Sequence, residues 1–351
     1  MRQASVMEAQ PPFEALEERL ESELYFSEGT IPIQVSAVPV VITTSDRDSL
    51  FSCTERLLSR VQEPSFQEPL LENVPDFLRR AFPNITVGAF DYHLTPQGPK
   101  LIEYMVLPPG MVSFYARFTQ LYNEHLNSPF PTVDVAHFEE ALVNSFAFTK
   151  GDSVVITDVN PRSQITHPEI LYFQALLKER GIGAEIQDAR DLRLVNGTKV
   201  YSRVTLHDWE ADPRKGLAPL TDAYKRAQFS PEPSLWFLGD KRGLILLCKE
   251  FPDIVPHTAY ATDLPSLSGF IVKPPSSYGG KGVDMHPTTA PPGSIAQAYV
   301  QAPTTASGNM NYDIRVFVLN GKPQLCCART YIGEKTNRDH PGTGFAPVFV
   351  V

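Results

Sequence analysis

The chain has 351 residues, 42% hydrophobic and 20% charged, which suits a globular protein too long for one core, so two or three lobes are expected. A formal charge of -9 excludes a general nucleic-acid binder, which needs a basic face, but leaves room for a local cluster of cations around one nucleotide. No run of about 18 or more apolar residues occurs, and Met1 to Leu20 lacks a secretory pattern, so no membrane contact and a cytoplasmic location are expected.

In chain order, Phe13 to Phe26 reads as a short acidic helix and Ile33 to Thr43 as a strand with Pro39 at an edge. Ser45 with Asp48 three residues on signals a helix start. Ile85 to Leu94 and Lys100 to Val106 are strand-like and flank Thr95-Pro96-Gln97-Gly98-Pro99, which predicts a hairpin. Met111 to Leu126 and Val133 to Phe148 read as helices. A strand at Val154 to Thr157, a capping box from Thr166 to Glu169, a helix from Ile170 to Arg180 and a strand at Ala184 predict a parallel, Rossmann-like layer. A helix from Asp240 to Phe251 follows, then strands at 269–272, 294–300, 313–319 and 324–331. Cys53, Cys248, Cys326 and Cys327 show no metal spacing and read as free thiols, the adjacent pair pointing to opposite faces of a strand.

The segment with the most chemical content runs from Phe270 to Val283. A strand delivers Lys273, and a loop with Ser276, Ser277, Gly279, Gly280 and Gly282 follows. Glycines let backbone N–H groups converge on an anion, and a lysine on a rigid strand adds charge for phosphates. A Walker A loop would end in Gly-Lys-Ser/Thr before a helix, and this one does not. Lys241 opens a helix upstream. Downstream come Gln297-Ala298-Tyr299-Val300, a strand with Asp313-Ile314-Arg315, an Asn320-Gly321 turn, and a strand with Arg329.

This succession resembles the ATP-grasp ligases over Asp240 to Arg329. The resemblance implies that Lys241 and Lys273 hold ATP phosphates, that the 276–282 loop closes over them, and that Gln297, Tyr299 and Val300 meet the adenine. It also implies that Arg315 and Arg329 steady the transferring phosphoryl group. The family's magnesium-binding piece has its counterpart near the start, in Asp91 and Glu103 on the arms of the predicted hairpin, where two carboxylates could share Mg2+. Met105 stands where the family's Glu-x-Asn has its Asn. Thr336 and Asn337 could face the reaction centre. Arg203 could meet a substrate carboxylate or form a surface salt bridge.

The order of pieces looks like a circularly permuted ATP-grasp, as in eukaryotic glutathione synthetases and some bacterial relatives. The expected fold is therefore α/β, with an ATP-grasp lobe and a Rossmann-like pre-ATP-grasp domain. Residues 1–150 would supply the permuted hairpin part, 151–235 the Rossmann-like substrate domain, 236–300 the ATP-binding subdomain, and 301–351 the rest of the catalytic lobe. The implied activity is a carboxylate–amine or carboxylate–thiol ligase using ATP and Mg2+. Its partners would be the small-molecule carboxylate and amine substrates, with a homodimer left open. A small-molecule kinase and a nucleotide-binding regulatory protein remain as alternatives.

Overall fold

The computed structural model describes residues 13–26, 33–72, 74–76, 78, 82–127, 130–205, 208–209, 217–277, 279–306, 308–336, 340 and 342–351. The chain runs through α1 (Phe13–Leu24), β1 (Val40–Ile42), α2 (Thr44–Val61) and α3 (Pro64–Leu71) into the hairpin of β2 (Val87–Thr95) and β3 (Gly98–Met105). Helices α4 (Tyr115–His125) and α5 (Val135–Ser145) lead to β4 (Ser153–Asp158), α6 (His167–Glu179), β5 (Gly183–Asp188), β6 (Lys199–Ser202), α7 (Ala218–Arg226) and β7 (Gln228–Phe229). The last part holds α8 (Leu235–Leu238), α9 (Arg242–Glu250), β8 (Thr258–Tyr260), β9 (Phe270–Lys273), β10 (Ile295–Ala298), β11 (Asn311–Leu319), β12 (Lys322–Tyr331) and β13 (Gly344–Val350).

Three sheets organise these elements. The largest has six strands in the order β1-β13-β12-β11-β2-β3, antiparallel except where β1 meets β13. The N-terminal hairpin thus lies in one sheet with β11 and β12, although more than half the chain separates them. Side chains alternate across this sheet. Phe90, Tyr92, Ile314, Val316 and Cys326 enter one apolar cluster, and Val87, Ala89, Phe317, Leu319 and Cys327 enter the other. The adjacent cysteines therefore point to opposite faces, as their spacing requires, and all four cysteines are free thiols.

A second sheet, β8-β10-β9, is antiparallel, and a third, β5-β4-β6-β7, is parallel. Asn320 and Gly321 both have positive φ, 50° and 68°, so the β11–β12 turn is the tight kind whose twist matches the strands.

Two helix starts differ from their sequence reading. Helix α2 is capped by Thr43, whose hydroxyl accepts from the Asp46 N–H at 3.1 Å while the Asp46 carboxylate accepts from the Thr43 N–H at 3.0 Å. Ser45 lies inside the first turn, because strand β1 ends sooner than the apolar run suggests. Thr166 makes no side-chain cap on α6. Glu169, expected to reciprocate, accepts instead from the Ser113 N–H and from Arg203. A buried guanidinium is the stronger competitor for a carboxylate.

Among the described residues, no helix is long and apolar enough to cross a membrane.

Candidate functional site

On one face of the six-stranded sheet, four neighbouring strands change from apolar to polar at the same level. Along β2, Val87 and Ala89 give way to Asp91 and His93, and along β11, Leu319 and Phe317 give way to Arg315 and Asp313. Along β12, Leu325 and Cys327 give way to Arg329, and along β3, Met105 gives way to Glu103. Strand register makes these positions meet: Glu103 is opposite Asp91, Asp91 opposite Arg315, and Asp313 opposite Arg329. Residues with a period of two on separate strands therefore become one charged row at the margin of a core.

The row is tightly paired. Arg315 donates to both Asp91 oxygens, through Nε and Nη2 at 2.8 Å each. Arg329 donates from Nη2 to Asp91 Oδ2 at 2.7 Å and from Nε to Asp313 Oδ1 at 2.8 Å. Thr336 donates its hydroxyl to Asp313 Oδ2 at 2.9 Å. The Asp91 and Asp313 side chains are 0% exposed. Burial pushes the Asp91 pKa up, but Arg315 and Arg329 outweigh it and hold the carboxyl at about 2.

Lys241 precedes α9 and reaches Glu103 at 3.1 Å. Burial raises the Glu103 pKa, and the field of Lys241 leads the opposing charges, so the net shift is downward. Lys273, at the end of β9, is almost wholly buried and has only neutral partners. Its ammonium donates to the Ile102 carbonyl at 2.7 Å and to Gln297 Oε1 at 2.8 Å. Burial lowers its pKa to about 8, Glu103 opposing.

The Ile102 carbonyl is available because β3 carries a bulge: the register passes from Asp91↔Glu103 to Tyr92↔Leu101 and skips Ile102. Gln297 donates to the Leu101 carbonyl beside it at 3.2 Å. The bulge is thus what docks the three-stranded sheet onto the edge strand of the larger one. No glycine marks it, and sequence reasoning missed it.

The other expected nucleotide contacts lie around this point. Gln297 turns its side chain toward Lys273 rather than outward. Tyr299 is exposed, and its N–H donates to the Gly269 carbonyl at 2.9 Å. The Val300 carbonyl is 3.0 Å from His93 Nδ1. The 276–282 loop folds back over Lys241, which donates to the Ser277 carbonyl. The Lys241 N–H donates to the Pro275 carbonyl at 3.0 Å. Ser276 begins the loop. Gly279, Gly280 and Gly282 all have positive φ, and a Cβ at Gly282 would come within 2.7 Å of Pro274 Cγ, so this tight loop requires glycine. The chain then returns to β9 through the isolated Val272–Asp284 bridge. His286 and Glu334, 2.6 Å apart, tie the far side of the loop to the segment holding Thr336. Asn337 lies outside the described residues.

Arg203 is elsewhere, with its side chain only 9% exposed, so the surface salt bridge is not what forms. It donates to the Pro108 carbonyl at 2.7 Å and to Glu169 at 3.2 Å, fastening the loop after β3 to the carboxyl ends of β4 and β6. Burial lowers its pKa, and Glu169, Tyr201 and Asp158 together more than restore it.

Asp158, at the end of β4, lies near Arg203. Burial raises its pKa to about 7, Arg203 opposing. Because this folded value exceeds the usual 3.8, the proton it retains favours the native state at low pH. That advantage declines as pH rises from about 4 through about 7, at up to about 1.4 kcal/mol per pH unit. Asp158→Asn, which can still accept from the Val159 N–H, should flatten this slope and raise the melting temperature at pH 8. Thermal unfolding of both proteins at pH 5 and pH 8 checks it, and parallel pH profiles would contradict the assignment.

The two implied ligands fare differently. For a polyphosphate, the donor set fits: two buried lysines stand under a glycine loop, and the Ser277 carbonyl already occupies Lys241 as a phosphate oxygen would. For magnesium, the fit fails. Both oxygens of Asp91 and both of Asp313 accept charged or hydroxyl donors, Glu103 faces Lys241, and Met105 turns toward the apolar cluster. Among the described residues, no three His, Cys, Asp or Glu side chains are grouped to hold a metal ion.

No protein-family model and no curated protein matches the chain. Among solved structures, it resembles the glutathione synthetase like-effector GSS30 from Globodera pallida in its apo form, with TM-score 0.50, 11% identity and 98% of each chain covered. The chain has a glutathione synthetase-like fold. A candidate gamma-glutamylcysteine synthetase from Methylobacillus flagellatus KT is also similar, with TM-score 0.46, 11% identity and 89% of each chain covered. The mixed α/β architecture agrees with the ATP-grasp expectation at the level of fold.

Proposed function

We propose that the protein is an ATP-dependent ligase joining a small-molecule carboxylate to an amine, built on a circularly permuted ATP-grasp arrangement. Residues 151–235 would form its substrate domain and the 236–300 segment its nucleotide subdomain. The observation that carries this reading is the convergence of Lys241, Lys273, Arg315 and Arg329, from the start of α9 and from strands β9, β11 and β12, on the carboxylates of the N-terminal hairpin beside one glycine loop. ATP supplies a γ-phosphoryl group that activates the carboxylate, and the amine then displaces phosphate, leaving ADP.

The chain's part in this is charge management. Lys273, held on β9 by Ile102 and Gln297, presents a fixed positive charge to the phosphates. Lys241 exchanges the Ser277 carbonyl for a phosphate oxygen, which requires the loop to lift. Arg315 and Arg329, braced by Asp91 and Asp313, keep their guanidinium planes oriented for a transferring phosphoryl group. Once reclosed, the loop excludes water from an activated carboxylate.

A second reading is favoured by the paired carboxylates and by Met105: a nucleotide-binding regulator without turnover. ADP release that requires both a carboxylate and an amine supports the ligase. Release with a phosphorylated product supports a kinase, and nucleotide binding without ADP release supports the regulator.

Lys273→Met, which keeps the volume but removes the charge, is expected to weaken ATP binding at least tenfold with little change in melting temperature. Calorimetric titration checks this, and unchanged affinity in a folded variant would remove the loop from the nucleotide site.

A further inference from the structure

We infer that this centre binds the nucleotide polyphosphate directly, as a metal-free anion, and that Glu103 restrains that binding by competing for Lys241. The inference rests on the nucleotide reading above. It starts from a charge inventory of the site. Asp91 is taken by Arg315 and Arg329, Asp313 by Arg329 and Thr336, and Glu103 by Lys241. The fourth cation, Lys273, faces only a carbonyl and a carboxamide oxygen, so the group holds four cations against three carboxylates.

A carboxylate that holds a divalent cation must direct an oxygen at it, and Mg2+ accepts little departure from octahedral geometry. Freeing Asp91 for that role would leave Arg315 and Arg329 without their shared counter-charge inside a low-dielectric margin, which is strongly unfavourable. The excess of charge therefore favours an anion at the point where a metal-dependent site would need to attract a cation. Lys273 uses two of its three N–H donors on Ile102 and Gln297, which aims the ammonium while leaving one donor for the ligand. Glu103 is the exception among the three carboxylates, since its side chain is 26% exposed rather than sealed. It sits where an incoming phosphate oxygen would approach Lys241, and like charges repel across the same cation.

This arrangement makes Glu103 a divider between two accounts. If Glu103 carries a metal, Glu103→Gln should weaken ATP binding. If it competes with phosphate, the same change should strengthen it.

The test is calorimetric titration of ATP, and of inorganic tripolyphosphate, into the parent and Glu103→Gln proteins, each in excess EDTA and in excess Mg2+. The expected result is ATP affinity in EDTA within about threefold of that in Mg2+, with Glu103→Gln tightening the EDTA value several-fold. Tripolyphosphate should follow the same trend. Binding at least tenfold tighter in Mg2+, lost in Glu103→Gln, would overturn the inference and leave the nucleotide reading standing. Binding of neither probe under either condition would overturn both.

Discussion

Asp91→Ala is expected to destabilise the protein by about 3–5 kcal/mol, the usual cost of removing one partner from a buried ion-pair group. The side chain is 0% exposed and accepts from Arg315 Nε, Arg315 Nη2 and Arg329 Nη2, all within 2.8 Å. Removing it leaves the buried Arg315 and the half-buried Arg329 guanidinium with Asp313 as the nearby carboxylate, which already accepts from Thr336. The depressed Asp91 pKa gives the pH signature. A group held below its usual 3.8 contributes stability that is fully present above about pH 4 and is lost as pH falls toward about 2. Urea unfolding at pH 7 should therefore separate parent from variant widely, and the gap should narrow in acid. A loss under about 1 kcal/mol at pH 7 would mean that the carboxylate faces solvent or a ligand rather than the two arginines.

Much of this centre was legible through the resemblance to ATP-grasp ligases, which singled out Asp91, Glu103, Arg315 and Arg329, and the Thr95 to Pro99 turn announced the hairpin that brings two of them together. What could not be read was who partners whom. Register decides that Asp91 lies between Glu103 and Arg315, and it depends on the pairing of β2 with the distant strand β11 and on a bulge at Ile102 that has no glycine to mark it. The expectation that Asp91 binds metal considered two carboxylates and left out the arginines across the strand.

Arg203 illustrates the same limit. Its neighbours Pro108 and Glu169 belong to a loop and a helix whose approach only packing determines. Local motifs misled where a stronger distant partner existed: the Thr166-to-Glu169 pattern has the form of a capping box, yet Arg203 holds the glutamate. Helix α3 was unread altogether, since Pro69 lies inside it, and its Phe66, Leu70 and Leu71 gain their place from the core they enter.

Gly243→Ala should cost about 2–5 kcal/mol, against the helix preference for alanine, which alone would stabilise by roughly 1 kcal/mol. Gly243 lies in the first turn of α9, against the Tyr104 side chain of β3. A Cβ there would fall 1.9 Å from Tyr104 Oη, 2.9 Å from Tyr104 Cζ and 3.1 Å from Phe66 Cζ. Tyr104 cannot yield easily, because it is 2% exposed and donates to the Leu238 carbonyl at 2.7 Å. Pushing the ring aside breaks that buried hydrogen bond and strains the strand. The consequence reaches the site, since Lys241 leads into the same helix and Glu103 adjoins Tyr104 on the same strand. Spreading α9 from β3 pulls apart the Lys241–Glu103 pair. Urea unfolding of the parent, Gly243→Ala, Tyr104→Leu and the double variant gives the coupling. The alanine should cost several times less in the Tyr104→Leu background, where the clashing hydroxyl and ring are gone. Equal costs in both backgrounds, or a gain in stability from Gly243→Ala alone, would show that α9 does not pack on β3 through this contact.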